Sequence, residues 1–125
     1  MSFCLPPEEV IETNRRITEH LHAVTGRADL EGALARPNHG WGGTLFYPTL
    51  LQRAGALLDG LVHAHAFFEG NKRTAWISTV IYMEAFGAYL RKLPDPEVEE
   101  FVVDVANHVV GPAGITDWLV ARLSA

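Results

Sequence analysis

His65-Ala66-Phe67-Phe68-Glu69-Gly70-Asn71-Lys72-Arg73-Thr74 runs straight into Ala75-Trp76-Ile77-Ser78-Thr79-Val80-Ile81-Tyr82-Met83-Glu84-Ala85-Phe86. The later part predicts a helix from about Asn71 to Phe86, stopped by Gly87. Trp76, Ile77, Val80, Ile81, Met83 and Phe86 make it apolar nearly all round, the pattern of a buried central helix. Its first turn carries Lys72 and Arg73, the only Lys or Arg between Arg53 and Arg91. A helix N-terminus already presents unpaired N–H groups and partial positive charge. Two added cations point to a polyvalent anion, with phosphate the natural candidate.

The residues ahead of that turn suit the same chemistry. Gly70 lets backbone come close to a phosphate. Asn71 can cap the helix or donate to a phosphate oxygen. Glu69 is a hard oxygen ligand for a magnesium ion that bridges phosphates. His65, four residues earlier, offers an imidazole that can take a proton from an incoming hydroxyl. Phe67 is expected to turn into the core and pin the loop. Base, metal ligand and anion hole are the parts of a phosphoryl- or nucleotidyl-transfer site. Each part also has an ordinary explanation. A histidine closing an apolar stripe is commonly a core residue, a Lys-Arg pair is commonly surface, and an acid before a helix commonly complements the dipole. Taken together at this spacing, ahead of a helix read as buried, those explanations weaken, and a phosphate site stands beside them as the alternative reading.

Working outward, helical periodicity continues almost throughout. Pro6 and Pro7 open a first helix, with Glu8 and Glu9 suited to its positive end. Val10, Asn14, Ile17, Leu21 and Val24 follow at three- and four-residue steps, and Gly26 suits its stop. A short second helix is expected from Asp29 to Ala35, ended before Pro37. Arg36 to Pro48 breaks the pattern. Gly40, Gly42 and Gly43 with Trp41, Phe46 and Tyr47 read as a loop or small hairpin flap. The same composition suits a plain connector anchored by its aromatics. Pro48 and Thr49 start a third helix, whose Leu50, Ala54, Leu57 or Leu58, Leu61 and His65 share a stripe. A fifth begins near Pro96, with Val98, Phe101, Val102, Val105 and Val109 inward. Its acids Asp95, Glu97, Glu99 and Glu100 read as a solvated first turn rather than a metal site. Gly111, Pro112 and Gly114 make a turn, and a last helix packs Ile115, Trp118, Leu119 and Leu123. The expectation is a single all-α domain over residues 1–125, a bundle around one buried helix with a small flap before the motif helix.

Composition narrows the partners. At 125 residues the chain can bury one core without staples. A net charge of -5 argues against direct nucleic-acid binding and against an anionic membrane surface. Cys4 is the only cysteine, which fits a reducing cytoplasm. The N-terminus shows no basic segment followed by an apolar run, so no signal peptide is expected. The apolar stretch from Ala75 to Leu90 is too short and too polar to span a bilayer.

The motif resembles the Fic/Doc signature, His-x-Phe-x-[Asp/Glu]-[Gly/Ala]-Asn-[Gly/Lys]-Arg, through His65, Phe67, Glu69, Gly70, Asn71, Lys72 and Arg73. Thr74-Ala75 is similar to the Doc (death-on-curing) branch. So are Leu30 to Pro37, Leu45 to Leu50, and Ala54 to Leu58. The likeness covers most of the chain from Gly26 to Gly87. It implies the Fic/Doc helical fold. It implies that His65 is the general base for a Ser, Thr or Tyr hydroxyl, that Glu69 binds Mg2+, and that Gly70, Asn71, Lys72 and Arg73 form the anion hole. It further implies that the stretch from Asn38 to Tyr47, with Asn38, His39, Gly40, Trp41, Gly42, Gly43, Thr44 and Leu45 as candidate contacts, is the flap that holds the target segment. His63, two residues from His65, lies outside the signature, and on a helix the two face apart, which excludes a His-x-His zinc site.

One position bears on the group transferred. Typical Fic members carry glycine where Lys72 stands, and mostly transfer AMP. In the Doc branch a lysine there is associated with a reversed ATP that presents its γ-phosphate. Gly70 points the other way, because Doc-type motifs can have alanine there. The resemblance therefore implies a magnesium- and ATP-dependent kinase of a toxin–antitoxin system, with elongation factor Tu as a candidate target and translation arrest as the outcome. AMP transfer is the alternative, and a non-catalytic nucleotide- or peptide-binding module is the third reading. Many Fic proteins carry an inhibitory helix with the pattern [Ser/Thr]-x-x-x-Glu-[Gly/Asn]. The nearest stretch here, Arg27 to Glu31-Gly32, has arginine in place of the hydroxyl. A separate antitoxin with a disordered tail is the expected partner.

Overall fold

Leu-Leu-Gln-Arg-Ala-Gly-Ala-Leu-Leu-Asp-Gly-Leu-Val-His-Ala, residues Leu50–Ala64, forms helix α3 in the computed structural model, which describes residues 3–124. Thr49 caps it in a capping box with Gln52. Ala54, Gly55, Ala56, Leu57, Leu58, Leu61 and Val62 are all buried. Small residues on one flank and leucines on the others let neighbours pack from several sides. A Cβ at Gly55 would lie 2.7 Å from Thr116 Oγ1, so the last helix sits almost on its backbone. The order is α1 (Pro7–Thr18), α2 (Arg27–Ala35), strands β1 (Gly40–Trp41) and β2 (Thr44–Leu45), α3, α4 (Asn71–Ala85), α5 (Asp95–Ala106) and α6 (Pro112–Val120). Helices α2, α4, α5 and α6 all pack on α3, and α1 packs on α4. The all-α bundle with a small hairpin is as expected.

The central helix is α3, however, and not α4. The buried face of α4 is Thr74, Ala75, Ser78, Thr79, Tyr82 and Met83. Ile81 and Phe86 are exposed, and Trp76, Ile77 and Val80 line an open groove against α5. Apolar character all round therefore marks a helix packed on one side and facing a cleft on the other.

Several element ends also differ from expectation. Helix α1 ends at Thr18 and continues as one 3-10 turn, Glu19–Leu21. Leu21 is consequently exposed, and Val24 leaves the helical stripe to pair with Phe67. Gly26 is the N-cap of α2, which starts two residues before Asp29, at Arg27. Asn38 belongs to a 3-10 turn, Arg36–Asn38, ahead of the hairpin. Pro94 caps α5, which ends at Ala106; Val109 therefore falls beyond the inner face and is exposed. Only Gly111 of the expected turn lies outside α6, because Pro112 takes the first helical position, where its missing N–H is harmless.

Candidate active site

The motif loop begins where α3 stops. His65 adopts a left-handed backbone (φ 48°, ψ 44°), uncommon for a non-glycine residue, so it ends the helix rather than extending its apolar stripe. Its side chain is exposed. Residues 65–68 then lie along residues 23–26. Thr25 N–H and Gly26 N–H donate to Ala66 C=O at 2.8 and 3.1 Å, and Phe68 N–H donates to Ala23 C=O at 3.0 Å. Phe67 pairs antiparallel with Val24 while its ring goes into the core. Asn71 closes the loop from the other side. Its Oδ1 accepts from Phe67 N–H at 3.0 Å and its Nδ2 donates to Phe67 C=O at 2.7 Å. Both ends of that amide are occupied within the loop. The side chain is therefore a loop staple rather than a helix cap, and Asn71 offers an anion its backbone N–H.

Gly70 follows with φ 76°. A Cβ there would lie 2.8 Å from Thr18 Cγ2 and 3.3 Å from Asn14 Nδ2. Packing against α1, together with left-handed backbone, is reason enough for glycine at this position. Gly70→Ala is expected to lower unfolding stability by about 1–3 kcal/mol. Adding Thr18→Ala should recover part of it. Denaturant midpoints would check this, and a Gly70→Ala protein as stable as wild type would contradict the packing account.

Beneath the loop, Asn14 of α1 is fully buried. It donates to Glu69 C=O at 2.8 Å and to Thr74 Oγ1 at 3.0 Å, and it accepts from His22 Nδ1 at 2.8 Å. Sequence reading placed Asn14 in an apolar stripe and passed over His22. The available signal was a polar side chain at a core position, which must find partners when buried.

The first helical bond of α4 runs from Thr74 N–H to Gly70 C=O, so the N–H groups of Asn71, Lys72 and Arg73 precede the intrahelical ladder. Lys72 and Arg73 are exposed and, among the described residues, pair with no carboxylate. Arg15, Arg16, Arg27, Arg36 and Arg122 are ion-paired, whereas the two cations at this helix end are not; the groove they border also carries Glu84, Asp95, Glu99 and Glu100. Gly70, Asn71, Lys72 and Arg73 border one end of the groove between α4 and α5, about 1260 Å³ in volume. Glu69 is exposed nearby. Among the described residues no three His, Cys, Asp or Glu cluster as metal ligands. A single carboxylate fits magnesium, which takes much of its coordination from phosphate and water.

The hairpin is fixed at its base and open at its tip. Gly42 and Gly43, with φ 58° and 83°, make the two-residue turn between β1 and β2. At the base, Arg36 pairs with Asp59 of α3 at 2.9 Å and donates to the Tyr47 hydroxyl at 3.3 Å. Arg53 donates to Pro48 C=O at 2.9 Å. His39, Gly40, Trp41, Gly42, Gly43, Thr44 and Leu45 are all exposed, Trp41 by 83%. Asn38 is apart from them, its amide donating to Phe3 C=O and Cys4 Sγ, both at 3.1 Å. His63 is occupied elsewhere. Its Nδ1 donates to Asp59 C=O at 2.8 Å and its ring stacks on His108 at 4.3 Å.

The model of the Fic/DOC family matches residues 4–83, from the N-terminal segment into α4. The chain is similar to Toxin Doc of Mycolicibacterium smegmatis, at 34% identity over 88 residues. That alignment covers 70% of this chain and 62% of the toxin, so the chain spans about three fifths of that relative's length. Among the described residues no helix is long and apolar enough to cross a membrane.

Proposed function

Because the chain belongs to the Fic/DOC family, on its Doc branch, we propose that it is a Doc-like toxin and a protein kinase. It moves the γ-phosphoryl group of ATP to a hydroxyl of a target protein, elongation factor Tu being the candidate. Translation arrest in the cytoplasm is the outcome. The observation that carries the reading is the first turn of α4: three N–H groups ahead of the helical ladder, and two exposed cations that pair with no carboxylate among the described residues, reached by a short loop from an exposed histidine.

In this reading the triphosphate lies against Gly70, Asn71, Lys72 and Arg73, with the groove behind them available for the nucleoside. Donors held by a helix need no reorganisation when charge builds on the transferring group. His65 takes the proton of the target hydroxyl as its oxygen bonds to the γ-phosphorus. The bond from that phosphorus to the bridging oxygen breaks, and ADP leaves with its charge met by Lys72 and Arg73. Magnesium, held by Glu69, would supply further neutralisation of the phosphates. The exposed strands of the hairpin offer unpaired edges to a target segment.

Lys72 favours the kinase over AMP transfer, because its side chain takes up space at the helix turn that glycine would leave for a phosphate. Gly70 no longer argues the other way, since its backbone and its contact with α1 account for it. Control by a separate antitoxin with a disordered tail is supported by α2. There Arg27 pairs with Glu8 and with Glu31, which engages the acid of the nearest inhibitor-like stretch.

Incubation of the protein with purified target and magnesium, with ATP labelled at either the γ or the α phosphate, tests the reading. Label should follow the γ position, and intact mass should show one added phosphate. Label from the α position with an AMP-sized gain would establish AMP transfer instead. Nucleotide binding without transfer to the target would leave only the binding module.

A further inference from the structure

Asn14 stands 55 residues from Glu69 in sequence and is fully buried, yet it is the group on which the motif loop is seated. Its orientation follows from chemistry. Glu69 C=O can only accept, so the atom facing it at 2.8 Å must be the Asn14 NH2. The Oδ1 then faces His22, whose Nδ1 must carry the hydrogen of their 2.8 Å contact. The second NH2 hydrogen goes to Thr74 Oγ1, in the first turn of α4. Every donor of this buried amide is therefore committed, and its oxygen is engaged as well.

The bond to Glu69 has a consequence on the other side of the peptide. The link from Glu69 to Gly70 is trans, so its C=O and N–H point in opposite directions. With the carbonyl held into α1, the Gly70 N–H is directed away from α1. It has no hydrogen-bond partner among the described residues, and Gly70 borders the groove at the α4 N-terminus. We propose that Asn14 is a positioning residue for the anion site: by fixing the Glu69 carbonyl against α1 it sets the Gly70 N–H as a donor to the bound phosphate, next to those of Asn71, Lys72 and Arg73. Glycine at position 70 lets this peptide be turned in a left-handed backbone close under α1. The inference rests on the phosphate reading of the site and deepens it.

Asn14→Asp keeps the shape and an acceptor for His22 but removes the donor to Glu69. Buried acceptors left facing one another should weaken binding of ATP with magnesium roughly tenfold to a hundredfold, read by calorimetric titration. Thermal unfolding of the same variant, read alongside, separates this loss from a merely loosened fold. In wild-type protein the Gly70 amide proton should move downfield in NMR spectra when ATP and magnesium are added. A folded Asn14→Asp protein with wild-type affinity overturns the proposal. If that variant does not fold, the wild-type spectra decide, and a Gly70 amide that stays put while those of Lys72 and Arg73 shift overturns it equally. Failure of the phosphate reading looks different: wild type and Arg73→Ala would both give no titration, and both ideas would fall together.

Discussion

His65→Ala should reduce phosphoryl transfer about a hundred- to ten-thousandfold while the protein stays folded. The side chain is exposed at the end of α3 and makes no side-chain hydrogen bond among the described residues, so its loss removes little packing. What it removes is the exposed imidazole at the start of the loop that leads into the first turn of α4. His63 is no substitute, since its Nδ1 is bonded to Asp59 and its Nε2 is buried. A companion, His65→Asn, tolerates the left-handed backbone better and guards against a purely conformational effect. Initial rates with γ-labelled ATP, alongside thermal unfolding, read the two effects separately. Turnover close to wild type in either variant would remove His65 from the mechanism.

Phe67→Ala is expected to cost about 3–5 kcal/mol of stability, a large share of what a single domain typically has. The ring is 5% exposed and belongs to the core, while its backbone holds the pairing with Val24 and both bonds from Asn71. Emptying that position leaves a cavity under the segment that places Glu69 and Gly70. Phe67→Leu keeps most of the volume and should cost under about 1.5 kcal/mol. Urea denaturation midpoints would check the pair. A loss below about 1 kcal/mol for Phe67→Ala would mean that hydrogen bonds and not the ring hold the loop.

Local features were legible in the sequence because their causes are local. Helical spacing, the start of α3 at Pro48 and Thr49, the glycine turn of the hairpin and the basic first turn of α4 each depend on residues a few positions apart. The contiguous motif from His65 to Arg73 could likewise be read as an anion site before any packing was considered. What that reading lacked was the identity of each residue's neighbours. Two helices were apolar on several sides, and only packing showed that α3 is surrounded while α4 turns Trp76, Ile77 and Val80 toward a groove. Asn71 could have capped the helix or met a phosphate; the folded loop engages its amide with Phe67 at both ends. Gly70 was explicable by a ligand until Thr18 was found against it. Asn14 was beyond reach for the same reason, because its partners lie 55 and 60 residues further along the chain. A buried amide must satisfy its hydrogen bonds wherever the fold brings acceptors, and sequence spacing carries no record of that distance.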